Sequence, residues 1–163
     1  MLFNERKYLM SSVYYLNIPK LDIQKPIICQ NVYYKSKAGS GYTSYVLDDL
    51  TILEQIKSIF PDFLLSTLEG IFIQEIDQGF NQRVHVDPRT IAINYILETG
   101  GETETYFVDP PEIHKIPAHT WHWFYANKPH AVRNVTALRR SITLTIKHEP
   151  DKKILDWLVN MVP

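Results

Sequence analysis

His85 and Asp87, in the stretch RVHVDPRT (residues 83–90), are of a type and spacing that can do chemistry. The stretch reads as a β-strand running into a proline turn. Side chains two apart on a strand point the same way. Arg83, His85 and Asp87 therefore share one face, and Val84 and Val86 share the other. If the valines lie under helices, the imidazole and the carboxylate face a barrel interior. Burying that pair is unfavourable unless something partners both groups. One partner is the pair itself, through a His–Asp hydrogen bond; that, or simple surface exposure, is the ordinary state of a bare H-x-D. The other is a metal ion. Two ligands two residues apart reach one ion, and a third from a neighbouring strand completes a face. Two histidines and a carboxylate with three open positions form the facial triad of non-heme iron(II) oxygenases.

The third ligand must come from downstream. His114, in PPEIHKIP, reads as an exposed loop residue. His119 and His122 are three apart, a helical spacing, and Trp121 and Trp123 flank His122, which reads as a packing or surface histidine. His130 opens a short strand after Lys128-Pro129. Beyond it, RRSITLTI (139–146) carries Arg139, Ser141, Thr143 and Thr145 on one face and Ile142, Leu144 and Ile146 on the other. A polar face on a core strand again points into the barrel. A buried arginine needs an anion, and its planar fork matches a carboxylate, with a nearby serine able to add one bond.

The elements that must position these residues are mostly strands. Strands are expected at 13–18, 27–34, 70–76, 83–87, 90–98, 103–109, 121–127, 130–135 and 139–146. One helix is expected at about 49–60, capped by Asp49, with Ile52, Ile56, Ile59 and Phe60 on one face and Pro61 closing it. Another is expected at about 151–162, burying Ile154, Leu155, Leu158, Met161 and Val162. The Gly/Ser-rich stretch 33–45 reads as a loop inside a single domain covering residues 1–163. Many short strands predict a mainly β fold, a jelly roll (double-stranded β-helix) with flanking helices packed on one sheet. Val84, Val86, Ile142, Leu144 and Ile146 should then be buried on the helix side.

Composition bounds the function. The 163 residues are 45% hydrophobic and 21% charged, with a net charge of −1. No Lys/Arg block marks a nucleic-acid partner. A lone cysteine, Cys29, excludes an internal disulfide and fits a reducing compartment. The N-terminal stretch MLFNERKYLMSS lacks the apolar run of a signal peptide, and no segment has the length of a membrane span. A cytoplasmic protein is expected.

HVD at 85–87, NYILETGGETETYF at 94–107, PHAV at 129–132 and RRSITLTI at 139–146, in this order, resemble the 2-oxoglutarate/Fe(II)-dependent dioxygenases, and among them the small prolyl-4-hydroxylase-like members. The similarity covers roughly residues 70–146, the catalytic core. It implies that His85, Asp87 and His130 bind Fe(II) and that Arg139 with Ser141 holds the distal carboxylate of the co-substrate 2-oxoglutarate. With two adjacent arginines the register decides, and a one-residue slip would bring in Arg140 instead. Arg139 is preferred because it keeps R-x-S. At the position of the tyrosine that often assists in related hydroxylases stands Ile96, with Tyr95 on the other face, which leaves Asn94 or another polar residue to substitute. The implied reaction consumes O2, releases succinate and CO2, and hydroxylates a small-molecule or peptide substrate at a prolyl or other amino-acid side chain. The alternative is a cupin-like metal-binding enzyme or sensor that does not use 2-oxoglutarate. Substrate identity and oligomeric state are open at this level.

Overall fold

The computed structural model describes residues 11–36 and 41–163. Residues 1–10, most of the N-terminal stretch discussed above, and residues 37–40 of the Gly/Ser-rich stretch lie outside the described residues.

In chain order the elements are β1 (Tyr14–Tyr15), β2 (Val32–Lys35), β3 (Tyr42–Val46), α1 (Leu50–Ile59), α2 (Asp62–Leu65), β4 (Leu68–Ile76), β5 (Ile91–Thr99), β6 (Glu104–Phe107), β7 (Glu112–His114), β8 (Trp121–Tyr125), β9 (His130–Arg133), β10 (Arg139–Ile146) and α3 (Lys152–Asn160). They form a larger sheet, ordered β1-β8-β5-β10-β4-β3-β2, and a smaller one, β7-β6-β9. All pairings are antiparallel. The segment around His85 joins the edge of the smaller sheet at β9 through a bridge to His130. From β4 onward the chain passes repeatedly between the two sheets: β4 in the larger, His85 in the smaller, β5 in the larger, β6 and β7 in the smaller, β8, β9 and β10 in alternation. This winding is a double-stranded β-helix, as the strand spacing predicts.

Two sequence patterns build the layers. Asp49 caps α1 by accepting a hydrogen bond from the Ile52 backbone N–H, and Asp151 caps α3 through the Ile154 N–H. Each helix buries one stripe, Ile52 and Ile56 on α1, Ile154 and Leu158 on α3. These pack on the outer face of the larger sheet, against Ile73, Ile93, Tyr95, Trp121, Trp123, Ile142, Leu144 and Ile146. The inner face of the same strands is different in kind. Strand alternation turns Arg139, Ser141, Thr143 and Thr145 of β10 away from the helices, and all four are buried. A second apolar cluster, including Ala92, Ile96, Phe107 and Phe124, closes one part of the interior between the sheets.

Several expectations fail, each for a reason of pairing. Val84 and Val86 are not under the helices; they are 42% and 56% exposed. Their segment belongs to the smaller sheet, and the helices cover only the larger one, so its outward face meets solvent. The stretch 83–87 is held at a single bridge rather than as a full strand. Within the stretch 33–45, read as a loop, Tyr42–Val46 is a strand paired to β4 and to β2, because its β-branched and aromatic residues extend the sheet edge. His114 is not in an exposed loop. It lies half-buried on β7, with Nε2 2.9 Å from Glu112 Oε2. Among the described residues no helix is long and apolar enough to cross a membrane.

Candidate metal centre

The centre begins with backbone. The His85 N–H donates to the His130 carbonyl at 2.9 Å, and the His130 N–H donates back to His85 at 3.0 Å. The Asp87 N–H donates to the Ala126 carbonyl at 2.9 Å, which fixes the start of the proline turn. The inward side chains of the two segments thus meet at one place, with imidazole centroids 4.5 Å apart.

Each imidazole is oriented from behind. Nδ1 of His85 lies 2.8 Å from the Arg83 carbonyl, and Nδ1 of His130 lies 2.7 Å from the Lys128 carbonyl. A carbonyl can only accept, so both Nδ1 atoms carry the proton and both Nε2 atoms present a lone pair. His85 Nε2 is 3.4 Å from Asp87 Oδ1, and His130 Nε2 is 3.8 Å from Asp87 Oδ2. One donor atom from each residue falls within 4.8 Å of the other two. Ligands bound at about 2.0–2.2 Å lie about 3 Å apart around an ion. The donor set is therefore slightly open but of the right type and direction for a first-row metal, with its other side facing a cavity.

Electrostatics agree with a site that holds a cation. Burial works against ionisation of Asp87, but the neighbouring imidazoles of His85 and His130, when protonated, and Arg89 hold its carboxyl below the usual range. Asp87 favours a second proton on His85 Nε2 and so raises His85, while burial lowers His130.

Arg139 lines the same cavity as the triad, together with Tyr42, Gln74, Asn94, His122 and Thr143. Burial pulls its guanidinium down to about 10. Among the described residues no carboxylate comes within ion-pairing distance of it. A buried guanidinium without a counter-charge is unfavourable, and an anionic ligand in the cavity would relieve it. Gly100 sets its approach. This residue adopts φ +78°, and a Cβ there would stand 2.7 Å from the Arg139 Cβ. Arg140 is on the opposite face. It donates to the Ile27 carbonyl at 3.1 Å and to Cys29 Sγ at 2.9 Å, and it pairs with Glu75 and Glu98 at 3.4 and 3.7 Å. That network takes it away from the cavity. Ser141 shares the inner face with Arg139, and its buried Oγ has no partner among the described residues.

Two wall residues were not legible as such. Tyr42 stands where a loop was expected, and burial pushes its phenol up to about 12. His122 is buried, and its inward direction was available from WHWFY: the alternation that puts Trp121 and Trp123 under the helices turns His122 and Phe124 into the barrel. Asn94 faces the cavity and accepts a hydrogen bond from Thr143 Oγ1 at 2.6 Å, whereas Tyr95 packs on the helix side.

A wider groove opens outward from the centre. Tyr33, Tyr34, Tyr42 and Phe80 form one part of its lining, and Arg83, His85, Asp87, Pro88 and Arg89 form another.

No protein-family model matches the chain, and no curated protein matches it. Solved structures do. An HTH_3 family transcriptional regulator from Vibrio cholerae aligns over 71% of this chain and 56% of its own, at 17% identity and a TM-score of 0.47. A predicted oxalate decarboxylase from Thermotoga maritima aligns over 73% of this chain and 97% of its own, at 13% identity and 0.46. An oxidoreductase of the 2OG-Fe(II) oxygenase family from Burkholderia pseudomallei aligns over 53% of this chain and 46% of its own, at 18% identity and 0.41. At these values the likenesses assign no function, and the double-stranded β-helix rests on the chain's own strand order and register.

Proposed function

We propose that this protein is a non-heme Fe(II)- and 2-oxoglutarate-dependent dioxygenase that hydroxylates a peptide or small-molecule substrate. One observation carries the reading: a His/Asp/His cluster and a buried arginine without a carboxylate partner among the described residues line one cavity. A metal site alone would suit many barrels of this kind. The arginine adds a requirement for an anion beside the metal.

His85, Asp87 and His130 would hold the iron on one face and leave the cavity side open. Iron(II), with dioxygen and 2-oxoglutarate, supplies the oxidative chemistry that yields succinate, CO2 and the hydroxylated product. The chain's own work is binding and orientation. Arg139 would fix the outer carboxylate of 2-oxoglutarate with paired donors, and the hydroxyl of Ser141 is available to the same ligand. Asp87 offsets part of the metal's charge. Ala92 and Phe124, from the inner apolar cluster, line part of the cavity. Substrate would approach along the groove of Tyr33, Tyr34, Tyr42 and Phe80, which reaches His85 and Asp87 from outside.

The test is anaerobic titration of 2-oxoglutarate into the Fe(II)-loaded protein, followed by admission of oxygen. A metal-to-ligand charge-transfer absorbance that is lost in Arg139→Ala, and succinate release on oxygenation, are expected. An iron-loaded protein that neither binds 2-oxoglutarate nor forms succinate would leave a cupin-like metal protein of other chemistry.

A further inference from the structure

The groove outside the metal centre owes its aromatic lining to a bulge. Val32 of β2 pairs with Tyr45, and Tyr34 pairs with Ser44, so two steps along β2 match one along β3. Tyr33 is the extra residue. Plain alternation would turn one of two successive tyrosines away from the groove. A bulge re-aims side chains, and here both tyrosines line it. Tyr33 packs on Phe72 with ring centroids 4.6 Å apart, and Tyr34 leads through Tyr42 at 6.0 Å to Phe80 at 6.5 Å. Yet Tyr33 and Tyr34 stay 55% and 52% exposed. Rings joined on one side and open on the other form a platform for a flat apolar group.

The rest of the lining is cationic. Arg83 and Arg89 belong to it, and its carboxylate is Asp87, which the metal cluster claims. Arg83 is exposed and makes no ion pair among the described residues. Arg89 has a long one, from Nε to Glu69 at 3.9 Å. It lines both the groove and the metal cavity, so it stands where the two meet. The chain as a whole carries a net charge of −1, which makes this pair a local feature rather than part of a basic surface. The groove has a volume of about 520 Å³, inside the roughly 300–1,000 Å³ of small-molecule sites.

We propose that the groove takes a compact substrate with a flat apolar body and an oxyanion group, carboxylate or phosphate. The body lies on the tyrosines, and Arg83 and Arg89 bind the anion. This rests on the dioxygenase reading above, which makes the occupant of the groove a substrate. A guanidinium matches either oxyanion with paired N–H donors. An uncharged analogue of the same shape would stack on the rings but leave both arginines without their partner.

The experiment measures binding to the Zn(II)-loaded protein in excess 2-oxoglutarate, whose own binding is measured first. The probes are 3-phenylpropionate, 2-phenylethyl phosphate, the uncharged 3-phenylpropanamide and an uncharged triproline peptide. At least one anion should bind about 10-fold or more tighter than the amide, on the scale of one hydrogen bond to a charged group, and the tighter of the two identifies the oxyanion. Arg83→Gln and Arg89→Gln should each reduce that preference, and Tyr34→Ala should weaken anions and amide alike. In 15N-arginine-labelled wild type, the Arg89 Nε resonance should shift with the anion and not with the amide, a readout that needs no variant to fold. Equal binding of amide and anions, tighter binding of the peptide, or no binding of either anion would overturn the inference while leaving the metal site, Arg139 and the proposed reaction standing. A wild type that binds no 2-oxoglutarate but keeps the anion preference would overturn the dioxygenase and leave the ligand class of the groove in place.

Discussion

His85 and His130 exchange both of their backbone hydrogen bonds, at 2.9 and 3.0 Å, and this one bridge puts two imidazoles from distant parts of the chain side by side. Each ring is then turned by the carbonyl two residues before it. The centre is thus assembled mainly by backbone, and its side chains converge before any ligand arrives.

Removing one member of the triad should abolish tight metal binding. For His130→Ala or Asp87→Ala, the loss should exceed the roughly 10–100-fold typical of losing an outer partner of a metal ligand. Anaerobic titration with Fe(II) or Mn(II) measures it. An alanine variant with wild-type affinity would remove that residue from the ligand set.

The two arginines should separate cleanly. Arg139→Ala is expected to weaken 2-oxoglutarate binding by a few kcal/mol, about the size of a lost charge-assisted pair, with metal binding retained. Because its guanidinium is buried without a carboxylate partner, Arg139→Met should leave the ligand-free protein as stable as wild type or more so. Arg140→Ala should do the reverse. It leaves 2-oxoglutarate affinity intact but lowers unfolding stability by about 1–3 kcal/mol, since it breaks bonds to Ile27 and Cys29 and contacts with two glutamates. Denaturant melts and ligand titrations on the three variants decide this.

Acid should destabilise the metal-free protein through His122. Its folded-state value of about 3 lies below the ordinary 6.5. Unfolded chains therefore take up a proton that the folded one refuses. The stability contribution is present above pH 6.5 and is lost progressively as pH falls from 6.5 toward 3, by a few kcal/mol at most. His122→Asn should flatten this part of the stability–pH curve. An unchanged slope would mean that other groups dominate acid unfolding.

Gly100→Ala tests the support behind Arg139. The substitution forces a side chain onto φ +78° and against the Arg139 Cβ. A loss of about 1–3 kcal/mol in stability is expected from the backbone strain. Weakened 2-oxoglutarate binding should accompany it, with unaltered metal affinity. Thermal melts and the two titrations report on these separately.

In the groove, Tyr34→Ala should raise the KM for substrate more than it lowers kcat, because Tyr34 is exposed and lines the approach to the centre rather than the centre itself. A pure kcat effect would place substrate elsewhere.

The sequence by itself determined the alternation, and alternation carries much of this site. Ile142, Leu144 and Ile146 went to the helices, so Arg139, Ser141 and Thr143 had to face inward, and the register of the two arginines followed from that pattern. The same two-residue period kept His85 and Asp87 on one side. Asp49 and Asp151 marked the helix starts because their side chains accept from the first turn. Tertiary structure alone decided what lay on the other side of each strand. Val84 and Val86 looked like core residues, but a period of two cannot tell whether the second face meets helices or water; membership of the smaller, uncovered sheet settled it. The meeting of His130 with His85, the burial of Arg139 without a counter-charge, and the arrival of Tyr42 and His122 in one cavity all depend on which strands neighbour which. Those pairings are made between residues far apart in the chain, where no local spacing records them.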